Sequence, residues 1–529
     1  MGDGEEVVAR WSRGRAQRRA ICIGVGVAVF LIGYVAIPSS ARAGGVVMGV
    51  DEFSPKERRM VREKDRVVST TLRVVVGVDA RGVVARSYDG LFPGPTLRAR
   101  PGDTLVVRLA NELGGSLPST SVPNALQWPN ATSLHVHGLH VSPLEDDVFS
   151  VVGPGESKTY RYAIADDHPL GTFWYHAHYH GSSSIQDAGG MAGALVIDGG
   201  LSRRPGEVVI VLQQTNLAVG KARNYAFASN VSGSLLPVVD SPDRLARAPL
   251  NRSFFTVNGR VKPTLKVEGR QLWRIINAAS NDFVAIEIPD ACDAWTVARD
   301  GISIPPRRDE LILLVPGSRA DLSVACDANG NVVSRLEDRS FVGAKTAVFE
   351  GVLFKVAAAS GHQHRGLEGG IVVAPPPASL LEEASARFFS FEWSQRPTRV
   401  ARGGVPYEWY GINGREYDHS VVAREVRLGE VEEWLVVSNQ NTNHPFHVHA
   451  FHFQIAKIEP ASFSYGGGAA PDYRVGDWRD TIAIPAPGNV TVRFRPDIPG
   501  GLVLAHCHIF VHADLGMQLL FRANNTTPS

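Results

Sequence analysis

The chain has 529 residues, which is enough for about three domains of ordinary size. Its 54 Lys and Arg residues nearly balance its 53 Asp and Glu residues, and the formal net charge of +1 argues against a nucleic-acid-binding protein. With 44% apolar and 20% charged residues the composition excludes a disordered chain, and the presence of only one long apolar run excludes a polytopic membrane protein.

The N-terminus carries a basic flank that is followed by the uncharged apolar run 21–37. Residues 41–43 then read Ala-Arg-Ala, an A-x-A pattern that is typical of the cleavage site of a secretory signal. We therefore expect residues 1–43 to be a signal peptide and the rest of the chain to be secreted, outside the cytoplasm. The alternative is an uncleaved anchor that tethers the protein to a membrane, because the run has the minimum length of a span.

Cysteine and asparagine positions add to the expectation of an extracytoplasmic protein. Cys292 and Cys326 both lie in the middle third of the chain, so we expect them to form a disulfide in an oxidising compartment. Cys507 is left over, between two histidines. Asn-x-Ser/Thr sites predict a glycoprotein if the secretory route is eukaryotic. The sites are Asn130, Asn230, Asn251, Asn489, Asn524 and Asn525.

One sequence pattern occurs three times along the chain. A turn, an extended strand, a Gly turn and an alternating strand begin at Gly90, at Val257 and at Ile412, and each copy is followed by a Pro-Gly turn. Short strands with frequent turn signals indicate β-sandwiches, so we predict an all-β chain of three similar domains. The Gly-, Ala- and Pro-rich segment 357–377 reads as the linker before the third domain. The predicted domains cover residues 44–200, 201–385 and 386–529.

Ten of the 17 histidines fall in four short motifs, two in the first predicted domain and two in the third. Residues i and i+2 of a strand point to the same face, so a His-x-His sequence presents two parallel imidazoles. Imidazole suits copper, zinc and iron, and four such pairs brought together form a cage for several metal ions. The pairs are His135/His137, His176/His178, His447/His449 and His506/His508.

Cys507 lies in the middle of the fourth motif and therefore points to the opposite face of its strand. His444 precedes the third motif, while His512 and Met517 follow Cys507 by five and ten residues. Two imidazoles, a thiolate and a thioether make a trigonal blue-copper site. The spacing therefore predicts a second metal site, which is covalently joined to the first through the two neighbours of the cysteine.

The four motifs and the threefold repeat resemble the multicopper oxidases over the whole chain beyond the N-terminal segment. The resemblance implies three cupredoxin-like Greek-key β-sandwiches and four copper ions, of which one is type 1, one is type 2 and two are type 3. It implies that His444, Cys507 and His512 bind the type 1 copper with Met517 as axial ligand. It further implies His135 and His447 for the type 2 copper, His137, His176 and His508 for one type 3 copper, and His178, His449 and His506 for the other. The three clustered ions would lie between the first and third domains, with the second domain as a spacer.

Three classes of function compete within this resemblance. The first is laccase-like oxidation of phenols or aromatic amines coupled to reduction of dioxygen to water, and the second is oxidation of ferrous or cuprous ions. The third is a copper-binding protein without oxidase activity, which is disfavoured because no ligand is missing. Five methionines without a Met-rich insert disfavour cuprous oxidation, and Gln440 stands where fungal ferroxidases carry an acid. We predict a laccase-like, monomeric enzyme with a small phenolic reductant.

Acidic residues near the motifs are candidates for proton delivery. Asp146 and Asp147 follow the first motif, about where several relatives carry a carboxylate that assists proton delivery. The alternative is that both residues belong to a solvated loop. Ala513 stands where many bacterial relatives carry an acid, so a second proton path there is in doubt. Asp480 resembles a family element and either orients a ligand histidine or pairs with Arg479; the sequence leaves both alternatives open.

Overall fold

The structure is a computed structural model that describes residues 46–63, 66–78, 84–117, 121, 123–200, 203–216, 253–336, 346–359, 375–402, 405–459 and 473–524. The predicted signal peptide, most of the predicted linker and three of the six glycosylation sites (Asn230, Asn251 and Asn525) lie outside these ranges. No helix in the described part of the chain has the length and hydropathy that a bilayer span requires.

The described chain begins with a short strand, β1 (Val47–Met48), and one helical turn, α1 (Val50–Phe53). Strand β1 pairs in parallel with residues 264 and 265 of the second predicted domain. The Phe53 ring packs edge-on against Phe354 at 5.6 Å and is buried there. These first residues therefore belong to the second domain by packing, whereas the sequence analysis placed the start of the first domain at residue 44.

The first sandwich consists of two sheets built from residues 61–197. One sheet has the order β2-β3-β6-β8 with β4 beside β3, and the other has the order β5-β10-β9-β7. The elements are β2 (Val61–Arg62), β3 (Val67–Val78), β4 (Val84–Tyr88), β5 (Gly94–Ala99), β6 (Thr104–Asn111), β7 (Leu134–His137), β8 (Ser157–Ala163), β9 (Gly171–Ala177), α2 (Ser183–Asp187) and β10 (Ala192–Ile197). Strands β7 and β9 are buried along their whole length, because the other two sandwiches cover the face that does not belong to the core.

The second sandwich has the sheet orders β12-β11-β14-β19-β16-β17 and β1-β13-β22-β20-β15-β18, with β21 beside β15. Its strands are β11 (Glu207–Asn216), β12 (Ser253–Val257), β13 (Thr264–Val267), β14 (Gln271–Asn277), β15 (Phe283–Glu287), β16 (Cys292–Arg299), β17 (Ile302–Arg307), β18 (Ile312–Leu314), β19 (Arg319–Cys326), β20 (Gly330–Ser334), β21 (Val348–Phe349) and β22 (Gly351–Ala358). Cys292 and Cys326 lie opposite each other on β16 and β19 and are joined by a disulfide, as the sequence predicted.

The third sandwich has the sheet orders β24-β23-β26-β31-β28-β29 and β25-β33-β32-β27-β30. Its elements are β23 (Arg387–Arg402), β24 (Val405–Ile412), β25 (Val422–Arg427), β26 (Glu432–Ser438), β27 (His444–Val448), β28 (Phe453–Glu459), β29 (Trp478–Arg479), β30 (Thr481–Ile484), β31 (Gly488–Phe494), β32 (Leu502–Cys507), α3 (Phe510–Asp514) and β33 (Gln518–Asn524). Alternate residues of β26 are fully buried, which places Trp434 and Val436 in the core and follows from the two-residue period of a strand.

The three sandwiches share one small apolar cluster at the place where they meet. Trp174 and Ala194 come from the first sandwich, Val209 and Ile276 from the second, and Phe510 from the third. Strands that are not consecutive in sequence lie side by side in every sheet. The all-β prediction with three Greek-key sandwiches is therefore confirmed, while the domain boundaries near residues 200 and 385 stay a prediction.

Candidate metal centres

Strand pairing brings the four His-x-His motifs together two by two. In the first sandwich His135 lies directly opposite His176 on the antiparallel pair β7 and β9. In the third sandwich His447 lies opposite His506 on β27 and β32. Because residues two apart share a face, each sheet presents four imidazoles on one side.

The two sets of four imidazoles face each other between the first and third sandwiches. The His135 ring stacks on the His449 ring at a centroid distance of 4.0 Å, and the His137 ring stacks on the His447 ring at 3.8 Å. All eight side chains are buried. The predicted cluster of histidines between these two sandwiches is therefore present as a geometric arrangement.

Ring nitrogens approach one another closely inside this cluster. Nε2 of His506 lies 3.3 Å from Nε2 of His178 and 3.1 Å from Nε2 of His449, and Nε2 of His508 lies 3.1 Å from Nδ1 of His137. Other inward nitrogens have no hydrogen-bond partner among the described residues, namely Nε2 of His135, His176 and His447. Converging lone pairs repel one another and a buried, unpaired acceptor is costly, so the donor set fits bound metal ions.

Hydrogen bonds at the outer edge of the cluster fix which nitrogen carries the proton. His135 Nδ1 lies 2.6 Å from Asp146, while Nδ1 of His176 and of His506 each donate to the backbone oxygen of the following residue at 2.9 Å. His447 Nδ1 donates to the Asp480 carbonyl oxygen at 2.8 Å. Outer partners of this kind set the tautomer of a metal-binding imidazole, and here they leave the inner nitrogens free to bind.

Burial lowers the pKa of every imidazole in the cluster, with the neighbouring rings adding to the effect in most of them. The pKa of His176 falls to about 3 and that of His506 to about 4. Neutral imidazole is the form that binds a metal, so the cluster needs no deprotonation at neutral pH to accept one.

The inner nitrogens group in a way that agrees only in part with the ligand sets implied by the resemblance. Those of His178, His449 and His506 lie within 4.8 Å of one another, which is the set expected for one type 3 copper. His137 and His508 are in contact as expected, but the one group that contains His176 joins it to His135 and His137 rather than to His508. The assignment of individual ions to the remaining histidines stays a prediction.

Cys507 and two histidines form a second, separate group on the opposite face of β32. The Cys507 Sγ atom lies 3.6 Å from His444 Nδ1 and 3.7 Å from His512 Nδ1, and the two nitrogens are 3.2 Å apart. A point equidistant from the three atoms in their plane lies about 2.0 Å from each, which suits transition-metal bonds of roughly 2.0–2.3 Å. The triangle therefore fits one metal ion held by two nitrogens and one sulfur.

The surroundings of this triangle are dry and apolar. Cys507 and His444 are fully buried, and burial raises the pKa of the Cys507 thiol while it lowers the pKa of His444 to about 3. A bound metal ion is what stabilises the thiolate in such a place. Met517 is also fully buried in the same core, and its backbone oxygen accepts a hydrogen bond from the Cys507 amide at 3.1 Å.

Two multicopper oxidase family models match the chain, one over residues 77–201 and the other over residues 391–527. The first span contains the four cluster histidines of the first sandwich, and the second contains the other four and every residue of the Cys507 triangle. The chain belongs to the multicopper oxidase family. It is a copper-dependent oxidoreductase that uses dioxygen as its electron acceptor.

Relatives of this oxidase include laccase-2 of Botryotinia fuckeliana, which is 26% identical over 487 residues that cover 83% of this chain and 78% of the relative. The laccase of Bacillus subtilis (strain 168) is 24% identical over 483 residues, covering 82% and 88%. The solved structure of a Campylobacter jejuni multicopper oxidase, described as a metallo-oxidase, superposes with a TM-score of 0.65 at 22% identity, covering 91% of this chain and 96% of that one. The three sandwiches of the oxidase are therefore cupredoxin-like.

The structure separates the two predicted candidates for proton delivery. Asp146 is buried, with one carboxylate oxygen 2.6 Å from His135 Nδ1 and the other accepting from the Val136 amide at 3.2 Å. Asp147 instead pairs with Lys158 at 2.7 Å, and its carboxylate is about a third exposed. Only Asp146 contacts the cluster of the oxidase, and Asp147 stabilises the loop, which was the alternative interpretation.

The open question about Asp480 is also decided by the structure. Arg479 pairs with Asp477 at 3.1 Å, whereas both Asp480 oxygens accept from Arg319 at 2.7 Å. One of them lies 3.3 Å from His137 Nε2. Burial alone would raise the pKa of Asp480, but the charge and hydrogen bonds of Arg319, together with the nearby His452 and His447, hold this pKa below its ordinary value.

Asp514, the acid nearest to Ala513, does not reach a candidate ligand. Its carboxylate accepts from the Gly181 amide at 2.7 Å, the Ser183 hydroxyl at 2.8 Å and the Ser184 amide at 2.8 Å. It therefore ties α3 of the third sandwich to α2 of the first.

Sequence reasoning missed three residues of these sites. Buried Asp187 lies 3.6 Å from His176 Nδ1, and the Tyr410 ring stacks on the His512 ring at 4.2 Å. Arg319, the third, lies two residues after the glycine of the Pro-Gly turn in the second repeat. For Asp187 the available signal was its distance of nine residues from the second motif, whereas Tyr410 comes from a different sheet and has no local signal.

Proposed function

We propose that this multicopper oxidase is laccase-like: it oxidises phenols or aromatic amines one electron at a time and reduces dioxygen to water. The observation that carries the proposal is that Cys507 of the metal-binding triangle stands between two cluster histidines, His506 and His508, in one buried stretch at the end of β32. The triangle, as the proposed electron-donor site, is thereby joined to the histidine cluster, as the proposed acceptor site, by the two peptide units on either side of Cys507.

The proposed ligands follow from the donor atoms that converge in each group. His444, Cys507 and His512 would hold the type 1 copper with Met517 as axial ligand, and the eight cluster histidines would hold one type 2 and two type 3 ions. Copper at these positions would accept single electrons from the organic substrate and deliver four of them, with four protons, to one dioxygen molecule. The outward-facing imidazole nitrogens are hydrogen-bonded to oxygen atoms of the surrounding protein. These bonds support a rigid arrangement of the inward nitrogens.

Electron entry is proposed at His512, because His444 and Cys507 are fully covered while His512 keeps 8% of its surface exposed. Tyr410 covers the face of this ring, and its hydroxyl accepts a hydrogen bond from Gln395 at 3.2 Å. A substrate must therefore reach the exposed edge of the imidazole. The Gln440 amide, which donates to the Trp393 carbonyl at 3.3 Å, stands where a carboxylate would favour ferrous ion, and this supports an organic substrate.

Steady-state oxygen uptake tests the substrate class. We expect copper-loaded protein to consume dioxygen with a phenol or an aromatic amine faster than with ferrous ion, cuprous ion or ascorbate, each assayed in parallel at the same concentration. Faster uptake with ferrous or cuprous ion would replace the laccase-like proposal by a metal-ion oxidase. Absence of uptake with all of them, in protein that holds its copper, would favour a binding protein without oxidase activity.

Metal content is the first prediction. We expect close to four copper ions per chain and an intense blue thiolate-to-copper band, because two donor groups with eight and three strong ligands converge in the structure. Elemental analysis and visible absorption of the purified, copper-loaded protein measure both. A colourless protein that holds one or two zinc ions would contradict the proposal.

The second prediction concerns Met517→Leu. If Met517 is the weak axial ligand, its thioether stabilises the oxidised copper, so the leucine variant should keep the blue band and raise the potential by roughly tens of millivolts. Oxidation of poorly reducing phenols should then improve where electron entry limits the rate. Redox titration of both forms decides the point. An unchanged or lowered potential would mean that Met517 is an ordinary core residue.

We also propose that the oxidase works outside the cytoplasm as a monomer. The Cys292–Cys326 disulfide supports an oxidising compartment. Mass spectrometry of the mature N-terminus in medium and membrane fractions distinguishes a secreted chain that starts near residue 44 from a tethered chain that keeps the apolar run 21–37.

A further inference from the structure

The second sandwich provides none of the proposed ligands, yet one of its turns packs directly against the histidine cluster. Gly317 in this turn has φ +94°, and a Cβ atom there would lie 3.0 Å from His137 Cε1 and from His508 Cδ2 and Nε2. The turn thus forms part of the wall of the cluster. A glycine at this place allows the backbone of the second sandwich to approach the imidazoles of the first and third.

Arg319, two residues after Gly317, links all three sandwiches through one buried guanidinium. Its Nη1 and Nη2 atoms each donate to one oxygen of Asp480 in the third sandwich at 2.7 Å. Its Nε atom donates to the carbonyl oxygen of Thr172, on the strand of the first sandwich that carries His176, at 3.1 Å. The side chains of Arg319 and Asp480 are 0% and 1% exposed, so water does not compete with this two-bond ion pair.

Asp480, which binds this guanidinium, also contacts two cluster histidines. One Asp480 oxygen lies 3.3 Å from His137 Nε2 and accepts the Thr481 hydroxyl proton at 2.8 Å, and that hydroxyl oxygen lies 3.1 Å from His137 Nε2 and from His447 Nδ1. The Asp480 backbone oxygen accepts from His447 Nδ1. Both imidazoles are therefore held on the side that faces away from the cluster.

We propose that Arg319 is a positioning residue: by clamping Asp480 it fixes the His137 and His447 rings, so that the second sandwich sets the geometry of a cluster to which it gives no ligand. This inference rests on the proposed function, because it concerns the ligand set of the proposed copper cluster. In the described part of the chain the Arg319 guanidinium donates to Thr172, Gly317 and Asp480 and not to a proposed metal ligand.

Gly138 supports the same inference independently. It follows His137 with φ +84°, and a Cβ atom there would lie 2.3 Å from Arg319 Nη2 and 2.5 Å from an Asp480 oxygen. The chain thus keeps a residue without a side chain, in a backbone conformation that L residues rarely adopt, where the guanidinium and carboxylate need the space. Lysine cannot replace arginine at such a site, because an ammonium group does not make two parallel bonds to one carboxylate.

The test is Arg319→Lys in the copper-loaded protein, with Arg274→Lys as matched control. Arg274 is another buried arginine of the second sandwich: it pairs with Glu207 and Asp321 and contacts the Thr172 hydroxyl, and its described contacts do not include Asp480. In Arg319→Lys we expect an altered type 2 electron paramagnetic resonance spectrum and about 10- to 100-fold easier loss of cluster copper to a chelator. The blue band, its potential and the KM for the reducing substrate should stay unchanged while kcat falls.

The control variant separates positioning from general loss of stability. Arg274→Lys should lower the unfolding temperature as much as Arg319→Lys and leave the type 2 spectrum and copper retention as in the wild type. Identical behaviour of the two variants would overturn the inference. If Arg319→Lys does not accumulate, Asp480→Asn replaces it, since removing the charge at the other end of the clamp should produce the same spectral change; a wild-type spectrum in Asp480→Asn would overturn the inference as well. A wild-type protein without a blue band or four copper ions would instead refute the proposed function.

Discussion

Cys507→Ser is expected to abolish the blue colour and electron entry while leaving about three copper ions bound. The thiolate is the only strong anionic donor of the triangle, and a serine hydroxyl at the same place does not replace it as a ligand between His444 and His512. The cluster ligands lie on the opposite face of β32 and keep their contacts. Visible absorption, copper analysis and oxygen uptake on the same sample measure the three effects.

A matched control removes sulfur elsewhere in the chain. The double variant Cys292→Ser with Cys326→Ser deletes the disulfide of the second sandwich, which lies outside both donor groups. It should keep the blue band and lose only stability, by about 3–4 kcal/mol for a loop of this length. A blue Cys507→Ser protein, or one with full turnover, would show that the triangle is not the site of electron entry.

Asp146→Asn is expected to lower kcat by about 10- to 100-fold without changing the blue band. The carboxyl group contacts His135 Nδ1 at 2.6 Å, so it both orients this imidazole and can exchange a proton beside the cluster. The amide keeps the shape of the side chain and removes the group that exchanges the proton. Stopped-flow reduction of the blue band should remain fast in the variant, whereas reoxidation by dioxygen should slow.

Asp147→Asn is the control for this prediction, because Asp147 pairs with Lys158 and does not contact the cluster. It should reoxidise as the wild type does. Equal slowing in both variants would place the effect in the loop rather than in the contact with His135.

The same carboxyl group predicts a pH dependence for the metal-free protein. Burial raises the pKa of Asp146 to about 7, so the folded chain holds this proton more tightly than the unfolded chain. The contribution of this group to stability is therefore present at low pH and falls as the pH rises from about 4 to about 7. Urea unfolding at both ends of that interval should show the metal-free Asp146→Asn variant gaining free energy of unfolding relative to the wild type, and Asp147→Asn should show no such gain.

The second sandwich has more influence on the cluster than the sequence analysis gave it. The resemblance implied a spacer role for the second domain, which contains no histidine motif. Gly317 and Arg319 place its Pro-Gly turn against His137 and against Asp480, so all three copies of the repeat surround the same cluster. A copy of the repeat without a ligand can therefore still form part of the wall of the cluster.

The sequence by itself determined which residues can bind metal and on which side of a strand they lie. The two-residue period of a strand places His506 and His508 on one face and Cys507 on the other, and this needs no knowledge of the rest of the fold. The same holds for the β-sandwich class, which follows from short alternating strands between turn signals, and for the cysteine pair, which follows from the position of both cysteines in the middle third of the chain.

Only the tertiary structure decided which residues contact the candidate ligands from outside the cluster. Asp146 and Asp147 are adjacent and chemically identical, and which of them reaches His135 depends on how the loop between β7 and β8 closes. The partner of Asp480 is Arg319, 161 residues away in another sandwich, rather than its neighbour Arg479. Contacts of this kind depend on the packing of three sandwiches against one another, and no local period or spacing in the sequence encodes that packing.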